Sequence, residues 1–567
     1  MLVLDFAGLG LGLSNCFNNP ISDSLIAPVN SVNPVISGIN NIGQVLTTTN
    51  GTWTGSPTFT YQWYRGVSAI SGQTASTYTI QYLDLYNTAS SITCEVTATN
   101  AAGTDTVTSN GITPVVLPFV FEVKTDNAGS STSTQFKLPL TTSSGLSIVV
   151  DWGDSTTSTI TSHTSLDATH TYLSIGTYTI SITGTLPGWQ FNNAGDKLKI
   201  LNISSWGALN ITTTSTFRGC TNLTCSAADA PKRTSTSLAF TFRECTNFNG
   251  AVGNWYTTGV TSLSNMFQLT SAFNQDLGDW DTSSVTDLLS TFNSASAFNN
   301  GGSSSINNWN TDALTGAALT STFSSATVFN QPIGNWNITN VTSLFSTFEL
   351  AAVFNQDISG WSTSNVTNMA RCFLGATVFN QNIAGWNTGK VTTLANMLQN
   401  AMAFNQDISD WDIGTDVGAA VTAFTSFMSG KIGGNALSTA NYDAILDIAD
   451  GWPSQGGISP GESPSFSGAK YSPGVVNSGA ATSTATNKLI QTGQNFLSTV
   501  TVGDIVRRTV SGTYAEVTAV DSDTQLSLSS NLMTTTTAYT IEGSNAAKGR
   551  FKLITTNTWT ITDSGPA

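Results

Sequence analysis

From about residue 201 to 430 the apolar positions recur every 25 residues. One copy reads Phe273-Asn274-Gln275, Leu277, Trp280, Thr282, Val285-Thr286, Leu288, Phe292 and Ala295, and Phe298-Asn299 opens the next. The Phe-Asn pair stands at 248, 273, 298, 329, 354, 379 and 404, with a single 31-residue step. Trp255, Trp280, Trp309, Trp336, Trp361, Trp386 and Trp411 keep the same beat, as do Phe217, Phe242, Phe267, Phe292, Phe323, Phe348, Phe373 and Leu398. A fixed period of this size specifies a solenoid, whose units bury their apolar faces only against their neighbours. Within a copy, Val285, Leu288, Phe292 and Ala295 fall at i, i+3, i+7 and i+10, which is helical spacing, and the Val-Thr pair is β-prone. The pattern therefore predicts a very short strand plus one or two helical turns per rung. At roughly 4.8 Å per rung, about nine rungs make a slab some 40–45 Å long. The extra residues of the long copy lie around Gly301-Gly302-Ser303-Ser304-Ser305, a loop at one edge.

Elsewhere the period changes. Residues 27–116 and 117–187 carry short alternating runs separated by turn signals, the pattern of two β-sandwiches. A dozen-residue linker with Pro187 and Gly188 leads into the solenoid at 188–430. After 430 the register stops, and "LSTANYDAILDIADGW" (437–452) reads as helical. "VTVGDIVRRTV", "YAEVTAVD", "TQLSLSS" and "AYTIEG" read as consecutive strands of a small β module at 480–545.

Three of these segments resemble known families. "FNQDISGWSTSNVTNMARCFLGATVFNQ" (354–381) resembles the BspA-type leucine-rich repeats of bacterial and phage surface proteins, which implies an α/β solenoid and a role in adhesion. "GTWTGSPTFTYQWYRG" (51–66) with "ITCEVTATNAAG" (92–103) resembles bacterial immunoglobulin-like domains, with Trp63 as the buried strand tryptophan and Cys94 opposite a position, near Leu46, that has no cysteine. "VVDWGDS" (149–155), "HTY" (170–172) and "GTYTISI" (176–182) resemble a PKD domain. There Asp151 and Asp154 offer half of a calcium site or, more simply, make the turn, and His163 and His170 are the only histidines, His170 reading as packed core. The 437–452 helix with "SPSFSGAKYSPG" (463–474) resembles the C-terminal cap of such arrays, and "NTWTITDSGP" (557–566) its last strand. The cap is thus 431–479 plus 546–567, split by the inserted module, which resembles small β modules of phage structural proteins. Insertion at an exposed loop tip is well tolerated.

Composition narrows the function. Charged residues are 9% of the 567, against about 25% in ordinary soluble domains, and Ser, Thr and Asn supply the polarity instead. A net charge of −15 and a pI near 4.4 exclude phosphate-backbone binding, so nucleic acid is not a partner. The N-terminus "MLVLDFAGLGLGLSNCFNNP" is apolar but holds Asp5 and no Lys or Arg. It lacks the basic start of a secretory signal and is too short to span a bilayer, so residues 1–26 read as an attachment segment that docks into other virion proteins, without membrane insertion. No heptad run for coiled-coil trimerisation is present.

The chemistry-bearing patterns read mostly as structure. The Asn of each Phe-Asn pair suits a rung-to-rung ladder. The Trp column reads either as a sugar-stacking platform or as core, and its shared period with Phe, Leu and Val favours core. Cys220 and Cys245 occupy the small slot filled by Ala295, Ala326, Ala351, Ala376 and Ala401 in later copies, and read as thiols; Cys16, Cys94, Cys225 and Cys372 have no evident mates. Asp276, Asp357 and Asp407 share a repeat position, but Pro332 and Asn382 interrupt the column that a two-carboxylate glycosidase would need. Gly457-Ile458-Ser459-Pro460-Gly461 matches a nucleophile elbow, yet no histidine follows it. No P-loop, dinucleotide fingerprint or Cys/His metal spacing occurs. The expectation is a mainly β, multidomain, non-enzymatic protein without cofactor: a structural and adhesive component of a bacteriophage virion surface, fibre or appendage, that binds a host glycan or protein. The alternatives are a bacterial cell-surface adhesin and a polysaccharide-degrading tailspike.

Overall fold

A computed structural model describes residues 26–41, 44–81, 84, 91–414, 421–431, 436–455, 464–466, 469–534, 536–561 and 563–567. Residues 1–25 of the attachment segment, with Cys16, and the Gly457–Gly461 match lie outside the described residues. The chain is mainly β and falls into two compact units, the first holding residues 1–119 with two short later segments and the second holding most of the rest.

In the first unit, strands Ile36–Ser37, Val45–Thr48 and Thr77–Thr79 form one antiparallel sheet. Ser68–Ala69, Thr58–Arg65, Ile92–Asn100 and Gly103–Thr108 form another, in that order. Alternate residues of both turn into one core of Ile36, Leu46, Tyr78, Trp63, Ile92, Cys94 and Val96, so the two sheets are the layers of a sandwich. Trp63 pairs directly with Cys94 across the ladder and stacks on Tyr78 at 5.3 Å. Leu46 and the thiol share this core, and Asp84 adds a polar tie by accepting from Arg65 of one sheet and Tyr78 of the other.

The second unit begins with the sheet Thr157–Ile160, Ser147–Asp151, Thr177–Thr185, Phe119–Lys124, Ile200–Ser205 and Thr224–Cys225. Its first hairpin turns through Gly153, at φ +77°, where a Cβ would meet the Thr179 carbonyl at 2.3 Å; only glycine fits. Beyond residue 187 the sheet simply continues: Ile200–Ser205 joins it and pairs in parallel with Thr224–Cys225. Pro187 and Gly188, expected in a linker, are buried.

The repeats depart from the expected helical turns. Among the described residues of 237–431 the only helical turns are 3-10, in the long copy, at Asn300–Gly302 and Ser304–Asn308. Within a rung, Leu288, Ser290, Phe292 and Ser294 donate their amides to Ala318, Thr320, Thr322 and Ser324 of the next rung, at 2.7–3.1 Å. The intervening Thr291, Asn293 and Ala295 donate to residues three back in the same rung. This alternation needs a left-handed residue every fourth position, here Ser290 (φ 53°) and Ser294 (φ 58°). A three-to-four spacing thus arises from successive turns, which an α-helix cannot accommodate because it commits every amide inside its own segment. Isolated parallel bridges such as Ser262↔Asp287 and Asn368↔Thr393 mark where the short strand was expected.

Phe242, Phe267, Phe292, Phe323, Phe348 and Phe373 form one continuous stack, centroids 5.5–5.9 Å apart and rings within 12° of parallel. The cap follows with helix Thr439–Leu446, its N-terminus closed by Ser438. The inserted module is a seven-stranded antiparallel sheet in the order Val475–Ala480, Ala538–Glu542, Ile505–Arg508, Tyr514–Ser522, Gln525–Leu528, Lys488–Ile490, Ser483–Ala485, with its own core around Leu489, Phe496, Val517 and Ile541. Its edge strand takes in residues 475–479, placed in the cap by sequence. Helix Asn545–Thr555 then returns the chain to the cap, packing on the first cap helix so closely that a Cβ on Gly549 would meet the Leu446 carbonyl at 1.8 Å.

Candidate ligand-binding surface

The tryptophans of the array are not a platform. None from Trp255 to Trp411 is more than 5% exposed. The indole N–H of Trp280, Trp309, Trp336, Trp361, Trp386 and Trp411 donates at 2.9–3.2 Å to a carbonyl of the preceding rung: Val252, Leu277, Ile306, Ile333, Ile358 and Ile383. Trp452 of the cap repeats the contact onto Ile408.

The asparagines form the expected ladder. The side-chain oxygens of Asn249, Asn274, Asn299, Asn330, Asn355 and Asn380 accept the backbone amide of the next Asn at 2.8–2.9 Å. Gln275, Gln356, Gln381 and Gln406 add an amide donor to the same oxygens. Ser438 and Asn441 of the cap take these two places on Asn405.

The aspartate column makes turns. Asp276, Asp357 and Asp407 each accept the amide two residues on, and Asn382 does the same. For Asp357 the bond from Ser359 holds the carboxyl below the usual range. At Asp276 partial burial pushes the carboxyl up, but Ser305, Gly278, Ser303 and Asn300 donate to it and outweigh burial. The 301–305 loop is therefore packed down on Asp276, with Asn300 fully buried beneath it.

In the earlier sheet, Asp151 and Asp154 accept from Gly153 and Thr156 and shape the turn. His170 pairs with Asp154 at 2.7 Å and stacks flat on Trp152, while Tyr172 donates to the Trp152 carbonyl and stacks on Tyr178. The "DWGD", "HTY" and "GTYT" motifs thus meet in one cluster, while His163 stands apart, at the surface with Ser143. Among the described residues no group of three His, Cys, Asp or Glu is placed to hold a metal. Cys220 and Cys245 are buried, unbridged thiols, raised well above the ordinary range by burial. Cys94 and Cys372 are likewise unbridged and buried.

What remains outside is repetitive and mostly hydroxyl and amide, with scattered exposed carboxylates such as Asp279, Asp312 and Asp410. The hydroxyls of Thr261, Thr286, Thr367, Thr392 and Thr422 each donate to the threonine carbonyl one rung back, at 3.1–3.2 Å, along an open edge. Asn310, Asn337, Ser362 and Asn387 line the edge beside the tryptophans, and Val328, Val353 and Val378 are 40–44% exposed on another.

The regular face ends at the cap, where the inserted module is bolted on by a buried polar cluster. Asp563 accepts Nε and Nη2 of Arg550 at 2.8 and 3.1 Å and the Tyr442 hydroxyl at 2.6 Å. Burial works against the Arg550 charge, but Asp563 overrides it and raises its pKa. Glu542 accepts from Tyr471 at 2.8 Å and Arg507 at 2.6 Å. Beside the cluster opens a cleft of about 300 Å³ lined by Val502, Ile505, Glu516, Lys548, Phe551, Lys552, Thr555 and Thr556. The sequence reading missed the helix that carries four of these. Its signal was present in Ser544 as N-cap and in Ala546, Ala547, Arg550 and Leu553 at helical spacing, but Gly549 interrupts the run. Among the described residues, no helix is long and apolar enough to cross a membrane.

A family model described as "Mycoplasma protein of unknown function, DUF285" matches residues 189–303, 236–348 and 317–431, which together take in the array. The repeat segment is accordingly of the BspA-like kind that its sequence resembles. No curated protein and no solved structure matches the chain.

Proposed function

We propose that this BspA-like repeat chain is a non-enzymatic structural and adhesive protein of a bacteriophage virion, a fibre or surface appendage whose solenoid binds a host-surface glycan or protein. The observation that carries the reading is the division of labour within each rung. Aromatic rings and indole N–H groups are engaged inside, while hydroxyls and amides recur outside with low charge. Such groups match the donor and acceptor pattern of sugar hydroxyls. The immunoglobulin-like reading of 27–116 and the PKD-like reading of 117–187 make these modules spacers, and residues 1–26 the attachment to other virion proteins. The match to a family described from Mycoplasma favours one rival, a bacterial cell-surface adhesin. Mass spectrometry of purified phage particles, with cell envelopes in parallel, separates the two. The virion reading expects the chain in particles, and expects purified full-length chain to compete with phage for adsorption. Recovery from envelopes alone overturns it in favour of the adhesin.

A further inference from the structure

We infer that the cleft between the inserted module and the cap is a binding site for a neutral saccharide unit. This rests on the adhesive reading and narrows it to one place and one ligand class. The cleft brings together an aromatic ring, Phe551, and apolar side chains, Val502, Ile505 and Ile448, with a balanced set of charges. Lys548 faces the buried carboxylate of Asp504 at 2.9 Å. Lys552 donates to the Pro453 carbonyl at 2.7 Å and shares the cleft with Glu516, whose carboxylate has no ion-pair partner among the described residues. Two ammonium groups against two carboxylates leave no net field to select an anion or a cation. An ammonium carries three donors and no acceptor, and a carboxylate only acceptors. Each lysine has one donor engaged and two left over, and Glu516 and the hydroxyls of Thr555 and Thr556 supply acceptors. A ligand that donates and accepts at adjacent atoms, yet offers an apolar face to an aromatic ring, is a neutral sugar. Placement agrees: the cap follows the last copy of the array, and Tyr471 on Glu542, Arg550 on Tyr514 and Lys548 on Asp504 tie the cap wall to the module wall.

The test uses the full chain and saturation-transfer NMR with maltose, lactose and diacetylchitobiose, and with a uronate disaccharide as control. Transfer to the C–H protons of at least one neutral disaccharide is expected, weakened roughly tenfold by Glu516→Gln, which keeps the side-chain shape, and by Phe551→Ala. Circular dichroism checks that each variant is folded. Absence of transfer from every neutral sugar at about 10 mM, a preference for the uronate, or transfer unchanged in both variants overturns the cleft assignment. Cell adsorption by Glu516→Gln is read separately. If the sugar signal is lost while adsorption persists, the saccharide site stands and adhesion is carried elsewhere. If wild type shows the sugar signal and never adsorbs, the adhesive reading fails while the site stands.

Discussion

Phe348→Ala removes one disc from the middle of the phenylalanine stack. The ring is fully buried, 5.7 Å from Phe323 and 5.5 Å from Phe373 along the stack, and 4.0 Å from Phe354 within its own rung. Large-to-small aromatic changes in cores cost about 3–5 kcal/mol, depending on how far the walls can close. Here they cannot close. The Phe348 amide is tied to Cys372 ahead, and its carbonyl to the Ala351 amide, so the upper end of the range applies. A rung of 25 residues at roughly 0.05–0.15 kcal/mol per residue contributes about 1–4 kcal/mol. The lesion therefore exceeds what one rung supplies, and the array should open locally before it unfolds globally. Hydrogen exchange read by mass spectrometry should show amides from about 323 to 373 losing protection first, with residues 92–108 of the first sandwich unchanged. Equal loosening in that sandwich, or a loss below about 1 kcal/mol, would refute the one-dimensional picture.

Gly549→Ala should dislodge the last helix from the cap and lower the melting temperature by several degrees, whereas Thr555→Ala on the exposed side of the same helix should leave it in place; equal effects would contradict the close approach to Leu446. Asp563→Ala should cost about 3–5 kcal/mol by leaving the Arg550 guanidinium buried without its partner, and an unchanged denaturant midpoint would count against the bolt. Burial lowers Lys431 from 10.5 to about 8. Below pH 8 both states are charged and the burial cost is complete, whereas between pH 8 and 10.5 the unfolded chain binds the extra proton and stability rises with pH. Lys431→Met should accordingly stabilise the chain at pH 7 by up to ~3 kcal/mol and flatten that rise, which urea titrations at pH 7 and 10 can check. Cys220 and Cys245 should resist iodoacetamide at pH 8 in the native chain and react after unfolding without reductant; a linked peptide pair would show a disulfide instead.

The array was legible because each column keeps one residue type against one backbone contact, so period alone located core, ladder and turn. Its local conformation was not, since Ser290 and Ser294 carry no mark of the left-handed backbone that turns a helical spacing into paired turns. The core of the first sandwich followed from alternation, and Trp63, Cys94 and Leu46 fall together in it. The sheet that runs on past Gly188 escaped because strand Ile200–Ser205 lies at the start of the 25-residue repeats. The cluster around Asp563 was out of reach for another reason: Tyr442 and Asp563 stand 121 residues apart, and nothing local links them.

The Asn, Thr and Trp ladders share one property with a consequence for how such a chain changes over generations. Each Asn or Thr contact joins a residue to its equivalent one period away, each Trp indole reaches the same carbonyl position of the preceding rung, and the cap presents Ser438, Asn441 and Trp452 in the roles of the next copy. Duplication or loss of a whole 25-residue unit therefore brings like against like at both new seams and leaves the cap's docking surface as it was. A shift of any other size would face Asn with apolar side chains and break all three ladders together, unless it is absorbed outside the columns. The six extra residues of the long copy do that: four are folded away before Trp309 over Asp276 and two lie between Leu314 and Leu319, while Phe298 still stacks on Phe329 at 5.8 Å. The number of rungs is thus a parameter that recombination can raise or lower in fixed steps, without redesign of the cap that follows them.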